Sequence, residues 1–311
     1  MRVFITGATG YVGSAITRRL ITAGHQVLGF ARSDKSAEKL KAMGAEIHRG
    51  DLDDLDSITA GAANVDGVIH TAISLDDFNK LDETFAKDEK AVEAMFSSLA
   101  GTGKPFLYIS GSGVLADTGT EAADETVATD DKGPVARRAA LEKTVLQAQS
   151  RNIRTVVIRP GIVYGQGGSG VFHLFAGLAR EAGCGRTIGE GKNVCSVVHV
   201  EDLADLFLSA LEHSPAGTLF NAASGEEPTM LDIATAIGHA LKLTDKPTVW
   251  PLNEASAALG PLADGLAANK RISAERARKV LGWRPHRVGL IEDIEHGSYP
   301  AAFGVAAGRE A

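Results

Sequence analysis

The sequence has few cysteines and no long hydrophobic segment. Only Cys184 and Cys195 occur among its 311 residues, and no C-x-x-C pair is present. This pattern argues against a disulfide framework and against a cysteine-rich zinc site. No segment approaches the roughly 18 apolar residues that a membrane-spanning helix needs, and the apolar run after Met1 is too short for a signal peptide. We therefore expect a soluble, cytoplasmic protein with reduced thiols.

The chain also lacks an excess of positive charge. Its formal net charge is -7, whereas nucleic acids and anionic membranes are bound by basic surfaces. The 9 histidines are scattered without the spacing of a metal site. These features argue against a nucleic-acid or membrane partner and against a metal centre, and they leave a small-molecule ligand open.

Strand-like and helix-like segments alternate through the first half of the chain. Runs rich in β-branched residues are followed by amphipathic runs, and this order indicates right-handed crossovers and a parallel sheet. We therefore predict an α/β, Rossmann-type doubly wound fold whose functional residues follow the strands. The predicted strands are residues 3–6, 26–30, 46–49, 68–70, 105–110 and 154–159, and the predicted helices are residues 11–23, 36–43, 55–61, 77–99 and 134–150.

The second half of the chain is less regular. Residues 247–265 are predicted to form loop and short helix, and the Ala/Gly-rich tail beyond Tyr299 is expected to fray. The predicted strands here are residues 193–198 and 218–221, and the predicted helices are residues 172–180, 201–212, 230–241 and 273–281.

A glycine-rich loop joins the first strand to the first helix. Residues 6–13 read T-G-A-T-G-Y-V-G. In such a loop, Gly7 permits a tight turn, Gly10 lets the backbone approach a pyrophosphate, and Gly13 lets the helix pack close to the sheet. The amides at the helix N-terminus then bind the anion. We therefore predict a dinucleotide site whose loop residues are Gly7, Thr9, Gly10, Tyr11, Val12 and Gly13.

The end of the second strand indicates which dinucleotide binds. NAD enzymes usually carry an acid there, and NADP enzymes carry an arginine. Arg32 follows this strand, and with Ser33 and Lys35 it could bond a 2′-phosphate. Asp34 is the counter-argument, because a small backbone shift would aim it at a ribose hydroxyl, and Arg32 could also be a solvated surface residue. We predict NADP(H), with NAD(H) as the alternative.

Later strand ends carry further candidate contacts. Asp51 and Leu52 follow the third strand, where an aspartate can accept a hydrogen bond from the adenine amino group. Thr71 and Ala72 follow the fourth strand, where small residues leave room for the cofactor. His70, which ends the fourth strand, is interpreted as structural.

Together these segments resemble the short-chain dehydrogenase/reductase superfamily, in its extended and atypical branches of epimerase/dehydratase and 3β-hydroxysteroid-dehydrogenase-like proteins. The matching pieces also include V-I-H-T-A, Y-I-S-G-S, R-P-G-I-V-Y-G and V-V-H-V-E-D-L-A. The resemblance implies a Rossmann domain over residues 1–160 that also receives residues 193–222. It implies a smaller C-terminal substrate-binding cap of residues 161–192 and 223–311. It places the nicotinamide ring near Ser112 and residues 160–163, and the predicted cofactor contacts in this region are Ser110, Pro160, Gly161 and Val163.

The superfamily's Tyr-x-x-x-Lys pair has no counterpart here. The family's chemistry uses a serine to hold the substrate oxygen, a tyrosine to transfer the proton, and a lysine to lower the tyrosine pKa. Ser112 matches the serine. If Glu142 is the acid that usually follows the lysine by four residues, Pro134 stands at the tyrosine position and Arg138 at the lysine position. The usual mechanism therefore does not carry over.

Three functions remain open. The first is NADP(H)-dependent reduction of a small or medium carbonyl compound, in which Ser112 and Arg138 or Arg137 polarise the carbonyl. Arginine stabilises an alkoxide but is a poor proton donor. The candidate proton donors are Tyr164, His199 and Tyr11. The second function is a catalytically silent, dinucleotide-binding redox sensor, and the third is an epimerase, dehydratase or isomerase that uses the cofactor transiently.

Simpler interpretations of these residues also stay open. Arg138 could form an i,i+4 ion pair with Glu142 on a solvated helix face, and Ser112 could cap a turn. The helices at 77–99 and 134–150 are where superfamily members often dimerise, so a homodimer is considered. Apolar residues of the cap favour an apolar carbonyl substrate over a nucleotide sugar, which needs a cationic diphosphate clamp. These apolar residues are Phe172, Phe175, Leu178 and Trp250.

Overall fold

The structure, a computed structural model, describes residues 1–73 and 80–305 of the chain. Within these two ranges, no helix combines the length and hydropathy needed to cross a bilayer. The strands are β1 (Arg2–Thr6), β2 (Gln26–Ala31), β3 (Glu46–Arg49), β4 (Gly67–His70), β5 (Pro105–Ile109), β6 (Arg154–Pro160), β7 (Ile162–Tyr164), β8 (Cys184–Ile188), β9 (Val197–His199), β10 (Thr218–Ala222) and β11 (Asp245–Trp250).

Thirteen α-helices are interspersed with these strands in the described residues. They are α1 (Tyr11–Thr22), α2 (Asp34–Ala42), α3 (Leu55–Ala63), α4 (Leu81–Leu99), α5 (Ala136–Gln147), α6 (Gly170–Ala182), α7 (Val200–His213), α8 (Met230–Ala240), α9 (Leu252–Leu259), α10 (Pro261–Ala267), α11 (Glu275–Leu281), α12 (Leu290–His296) and α13 (Tyr299–Ala302). The first three residues of the predicted helix 77–99 lie outside the described residues.

A seven-stranded parallel sheet forms the centre of the molecule. Its strand order is β10-β6-β5-β4-β1-β2-β3, and every strand pair is parallel. The chain runs outward from β1 to β3 and then returns to β4 on the other side of β1. The carboxyl ends of β1 and β4 therefore flank a topological switch point, where open α/β sheets bind their ligands. The predicted doubly wound α/β fold is confirmed.

The sheet separates two apolar cores. Val3 and Ile5 of β1 pack on one face with helices α1 and α7, whereas Phe4 packs on the other face with α3 and α4. This division follows from the strand geometry, because successive side chains point to opposite faces. Both faces of β1 are buried, as a central parallel strand requires, and its carboxyl end is held rigidly in place.

The remaining elements pack around a third apolar core, here named the small core. Phe172 and Phe175 of α6, Ile233 and Ile237 of α8, and Tyr299 of α13 are among its buried residues. Strands β8 and β11 form a two-stranded parallel sheet beside this core. Strands β7 and β9 pair in parallel between the small core and the large sheet. A cap thus sits over the carboxyl end of the large sheet.

Several predictions for the second half are wrong. Residues 193–196 make only isolated bridges, so the strand predicted over 193–198 shrinks to β9. Strand β11 overlaps the start of the segment predicted as loop and short helix, and its Pro247 is tolerated because a two-stranded sheet has an unpaired edge. The tail does not fray directly after Tyr299, because α13 continues to Ala302 and Phe303 is buried in the small core. The rest of the predicted frayed tail, residues 306–311, lies outside the described residues.

A buried ion pair ties α5 to the central sheet. The Arg159 guanidinium of β6 donates to both carboxylate oxygens of Glu142, at 3.2 and 2.5 Å. Both side chains are only 2% exposed. Glu142 therefore does not pair with Arg138 on a solvated face, and that alternative is wrong. The pair instead fixes the helix that carries Arg138 against the strand that leads to Pro160.

We expect Glu142→Ala to lower the free energy of unfolding by about 3 kcal/mol or more, because it leaves the Arg159 charge buried and unpaired. Glu93→Ala is the matched control. Glu93 pairs with Arg151 on an exposed surface, where an ion pair contributes at most about 1 kcal/mol. Urea unfolding of both variants measures the difference, and equal losses would contradict the buried-pair assignment.

Candidate functional site

The loop between β1 and α1 presents unpaired backbone amides. Gly7 has φ +72°, a conformation that glycine adopts without strain, and its carbonyl accepts a hydrogen bond from Gly10 N at 2.9 Å. Gly10 precedes the first turn of α1, and no side chain caps that turn. The exposed N–H groups and the helix dipole together form an anion site.

Gly13 explains why α1 approaches the sheet so closely. A Cβ atom at this position would lie 2.1 Å from the Gly7 carbonyl oxygen and 2.8 Å from Thr71 Oγ1. A side chain at Gly7 would likewise lie 2.7 Å from Ala72 N. The loop, the first helix and the end of β4 therefore touch backbone to backbone, and the N-terminus of the helix is held at the switch point.

A first cavity of about 490 Å³ extends from this loop past the ends of β2 and β3. Arg32 lies at its exposed side and forms no ion pair or hydrogen bond with any described residue. Asp34 is not part of the lining and instead bonds Arg49 at 2.6 Å. Predicted contacts that line the first cavity are Gly7, Thr9, Gly10, Arg32, Asp51, Leu52 and Ala72.

Ser33, another predicted cofactor contact, does not line the first cavity. The structure places it outside the lining, at the N-terminus of α2, where its hydroxyl accepts a hydrogen bond from Ser36 N. Ser36 lines the first cavity and was missed. Ser33 stands directly before an amphipathic segment, which is where helix N-caps occur, so the sequence itself favours a capping role for this residue.

A second cavity of about 480 Å³ adjoins the first and shares Gly7, Gly10 and Ile73 with it. It lies at the ends of β4, β5 and β6. Ser110 stands in its wall, and the buried hydroxyl of this residue has no hydrogen-bond partner. Predicted residues that line the second cavity are Tyr11, Val12, Gly13, Thr71, Ser110, Ser112, Arg138, Pro160, Gly161 and Val163.

Arg138 lies in the second cavity and Arg137 does not. The Arg138 side chain is buried, with Nη2 donating to the Ile109 carbonyl at 3.0 Å and Nε left without a partner. Arg137 instead pairs with Glu89 and Asp82 of α4 at 2.7 and 3.1 Å. Of the two arginines predicted to polarise the substrate, the structure thus brings only Arg138 to the cleft.

These residues fit a nicotinamide dinucleotide. The loop offers amides for a pyrophosphate, the cavities are continuous through shared lining residues, and buried polar atoms of Ser110 and Arg138 lack partners. Buried polar groups are usually hydrogen-bonded, so such atoms indicate a polar ligand at the second cavity.

Gly161, at the end of β6, has no space for a side chain, because a Cβ atom there would lie 2.1 Å from Ser196 O.

A third cavity of about 410 Å³ opens beyond Ser112. It shares Ser112, Gly113, Val135, Ile162 and Val171 with the second cavity. Most of its lining is apolar and comes from segments far apart in the sequence, so no local sequence pattern predicts most of these residues. The newly identified apolar lining includes Leu81, Leu115, Met230, Pro261, Leu262 and Leu266, and the charged lining is Asp117, Asp130, Asp264 and Lys270.

Tyr164 does not face the cleft, which corrects its prediction as a proton donor. Its side chain is 1% exposed, and its hydroxyl donates to the Val288 carbonyl at 2.8 Å. Burial raises the pKa of Tyr164 above its ordinary value. At the end of β7, the Tyr164 ring points into the small core, where it packs edge-on against His199.

The other two candidate proton donors are also engaged elsewhere. The His199 ring accepts a hydrogen bond from Glu201 N at 3.2 Å and so caps α7, and burial lowers the pKa of His199. The Tyr11 ring lines the second cavity, but its hydroxyl donates to the Gly165 carbonyl at 2.8 Å. Burial raises the pKa of Tyr11. None of the three predicted donors presents a free proton to the third cavity.

His70 takes part in a buried polar network beneath the cleft. Its Nδ1 lies 2.5 Å from Thr6 Oγ1 and its Nε2 lies 2.6 Å from an Asp88 oxygen. The Tyr108 hydroxyl donates to the other Asp88 oxygen at 2.7 Å. The network joins β1, β4, β5 and α4, which agrees with a structural role for His70.

The large apolar residues predicted for the substrate surface are a further correction. Phe172 and Phe175 are buried in the small core, where they hold α6 in place, and neither lines the third cavity. Trp250 belongs to the same core, and its ring is covered by the Arg186 guanidinium at 4.5 Å. Leu178 packs against that core. Smaller residues, such as Val171, form the cavity wall instead.

Comparisons with known proteins agree with this geometry. The family model described as NAD dependent epimerase/dehydratase family matches residues 3–223. The chain is 35% identical to protein YLL056C of Saccharomyces cerevisiae, over 94% of this chain and 98% of that protein. It is 27% identical to the UDP-glucose 4-epimerase of Mycolicibacterium smegmatis, over 94% and 96%. It is 26% identical to the 2-alkyl-3-oxoalkanoate reductase of Stenotrophomonas maltophilia, over 76% and 74%.

A solved structure shows the same fold. The UDP-glucose 4-epimerase of Thermus thermophilus, in complex with NAD, superposes with a TM-score of 0.79 at 22% identity. The superposition covers 99% of this chain and 100% of that chain. The similarity therefore extends over both the parallel sheet and the cap.

We expect Gly13→Ala to weaken dinucleotide binding, because the added methyl group pushes α1 away from Gly7 and misaligns the amides. Loss of one charge-assisted hydrogen bond costs about 1.5–3 kcal/mol, which weakens binding about tenfold or more. Calorimetric titration with NADPH measures the effect. Gly177→Ala in α6 is the control, because a Cβ there meets nothing within 4 Å. Unchanged affinity in a folded Gly13→Ala variant would contradict the assignment of this loop.

Proposed function

The chain belongs to the NAD-dependent epimerase/dehydratase family, and we propose that it is an NADP(H)-dependent oxidoreductase. Its substrate in this proposal is a small or medium carbonyl compound with an apolar body. The observation that carries the proposal is the third cavity, an apolar space that meets the second cavity at Ser112. A substrate in that space would have its carbonyl group next to the predicted nicotinamide position.

The preference for NADP(H) rests on the end of β2. Arg32 is exposed beside the first cavity and has no counter-ion among the described residues, so its charge is available for a 2′-phosphate. The acid that would bind a ribose 2′-hydroxyl is absent at the strand end, where Ala31 stands. The acid that follows Arg32 in the sequence, Asp34, is bonded to Arg49.

The charges of the third cavity argue against a nucleotide sugar. Its lining carries three carboxylates, Asp117, Asp130 and Asp264, and one cation, Lys270. A diphosphate needs several cationic or amide donors, and acidic neighbours repel it. An uncharged carbonyl compound has no such penalty, and its apolar body gains from contact with Leu262 and Leu266. The relative from Stenotrophomonas maltophilia, named as a reductase of 2-alkyl-3-oxoalkanoates, is compatible with this chemistry.

The chain's own residues supply positioning and electrostatics. When bound, a reduced nicotinamide supplies the hydride for carbonyl reduction. The Ser112 hydroxyl, at the start of a single turn after β5, holds the substrate oxygen in this proposal. Arg138 adds a fixed positive charge in a buried wall, where charge stabilisation is strongest. Pro134 lines the third cavity where the family's tyrosine would stand and offers no proton.

The family and the mycobacterial relative also support a second candidate, epimerase activity. That reaction reduces and oxidises a sugar within one turnover, and it needs the same cofactor cleft. A redox sensor without turnover is the third candidate. Both alternatives predict no net consumption of NADPH with simple carbonyl compounds.

A substrate panel separates these candidates. We expect the protein to consume NADPH with apolar ketones or aldehydes and to leave UDP-sugars unchanged, because its substrate cavity has no diphosphate clamp. Absorbance of the reduced nicotinamide monitors the first reaction, and chromatography of the sugars monitors the second. Turnover of UDP-sugars alone would contradict the proposal, and tight dinucleotide binding without any turnover would favour the sensor.

We expect Arg32→Ala to weaken binding of NADPH but not of NADH. Loss of charge-assisted bonds to the 2′-phosphate costs about 1.5–3 kcal/mol, or about 10- to 150-fold in the dissociation constant. Arg284→Ala is the control, because Arg284 is exposed and lines none of the three cavities. An equal loss for both dinucleotides, measured by calorimetry, would contradict the role of Arg32.

A further inference from the structure

One cation in the third cavity has no counter-ion. Lys270 is half-buried, and its ammonium group donates to the Leu115 carbonyl and to the Ala116 carbonyl, the latter at 3.3 Å. No residue in the described ranges forms an ion pair with it. Lysine is rarely buried without a paired charge, so this arrangement points to a role beyond packing.

The backbone fixes the position of Lys270 in the cavity wall. Lys270 N donates to the Val194 carbonyl at 2.8 Å, and Ser196 N donates to the Lys270 carbonyl at 2.9 Å. This short ladder leads into β9, which pairs with β7. The side chain therefore starts from a rigid point, as precise catalytic positioning requires.

The Lys270 ammonium lies beside the turn that carries Ser112. Leu115 N donates to the Ser112 carbonyl at 3.1 Å, so the two carbonyls that hold the ammonium directly follow this turn. Ser112 and Lys270 both line the third cavity. An ammonium group has three N–H donors, and the two carbonyls account for two of them. One N–H is left for a ligand oxygen.

The surroundings of Lys270 favour release of a proton. Burial lowers the pKa of its ammonium group, and this effect exceeds the opposing influence of Asp117 and Asp130. Asp264 of α10 is the other charged group in the cavity lining. Backbone hydrogen bonds hold the pKa of Asp117 below its ordinary value, so Asp117 is an ionised acceptor and does not compete as an acid.

We propose that Lys270 is the proton donor of this protein, at a site that takes the place of the family's missing tyrosine. The proposal rests on the reductase function proposed above. Lys270 Nζ gives one proton to the carbonyl oxygen as the carbonyl carbon accepts a hydride from a reduced nicotinamide dinucleotide. The C=O group becomes CH–OH, the dinucleotide is oxidised, and the neutral amine regains a proton from water.

Arginine and methionine substitutions separate proton transfer from structure. Lys270→Arg keeps the positive charge and the hydrogen bonds to the two carbonyls, but its guanidinium does not release a proton near neutral pH. Lys270→Met removes both charge and proton. We expect each variant to lower kcat by about 10²-fold or more, the usual contribution of a positioned general acid. The affinity for NADPH should stay unchanged in both variants.

Lys192→Met is the matched control. Lys192 pairs with Glu190 at 2.7 Å on the surface, and its side chain is 83% exposed. This variant should keep full activity. If Lys270→Arg keeps a kcat close to that of the unmodified protein, the lysine acts only through charge or structure, and the proposal is overturned.

The pH dependence gives a second test. Lys270 must be protonated to act as an acid, so kcat should fall as the pH rises through the pKa of Lys270. This pKa lies below the ordinary lysine value of 10.5. Competitive acetylation of the protein alone, followed by peptide mass spectrometry, measures the titration midpoint of Lys270 without any turnover. A midpoint at or above that of Lys192 would overturn the proposal.

Failure of the proposed function has a different signature. If the unmodified protein turns over no carbonyl compound with NADPH, the reductase function fails, and the role of Lys270 as its acid fails with it. If the unmodified protein is active and Lys270→Arg is equally active, the reductase function stands and only the assignment of the acid is wrong.

Discussion

The contact between Gly13 and Gly7 sets the geometry of the whole site. Because neither residue has a side chain, the first turn of α1 lies against the end of β1 and close to Thr71 at the end of β4. The unpaired amides of that turn then point at the switch point of the sheet. A pyrophosphate at these amides would have its two nucleotide halves directed into the first and second cavities. A substrate in the third cavity would reach the nicotinamide half only where this cavity meets the second one, at Ser112.

The cleft keeps the family's architecture but changes its polar groups. The Arg138 guanidinium reaches the second cavity from a helix anchored by the Glu142–Arg159 pair. Pro134, which the sequence analysis aligned with the family's tyrosine, lines the third cavity and has no hydroxyl. A guanidinium stabilises negative charge without giving up its proton. Charge stabilisation and proton transfer, which the usual pair performs together, are therefore assigned here to separate residues.

The parts of the site that depend on local sequence were predictable. The loop at 6–13, Arg32 and Ser112 follow predicted strands, and parallel strands bring such positions to one edge. Lys270 was not predictable, because it reaches the cavity through long-range pairing with Val194 and Ser196. Tyr164 was misjudged for the opposite reason. It follows the predicted strand at 154–159, which suggested a place in the cleft. The short strand β7 instead turns its ring toward the small core.

A crystal structure of the protein with bound NADPH would show where each part of the dinucleotide lies. We expect the pyrophosphate within hydrogen-bond distance of the amides between Gly10 and Gly13, the 2′-phosphate at Arg32, and the nicotinamide ring facing the cavity beyond Ser112. A dinucleotide bound elsewhere, or no bound dinucleotide at saturating concentration, would contradict this expectation.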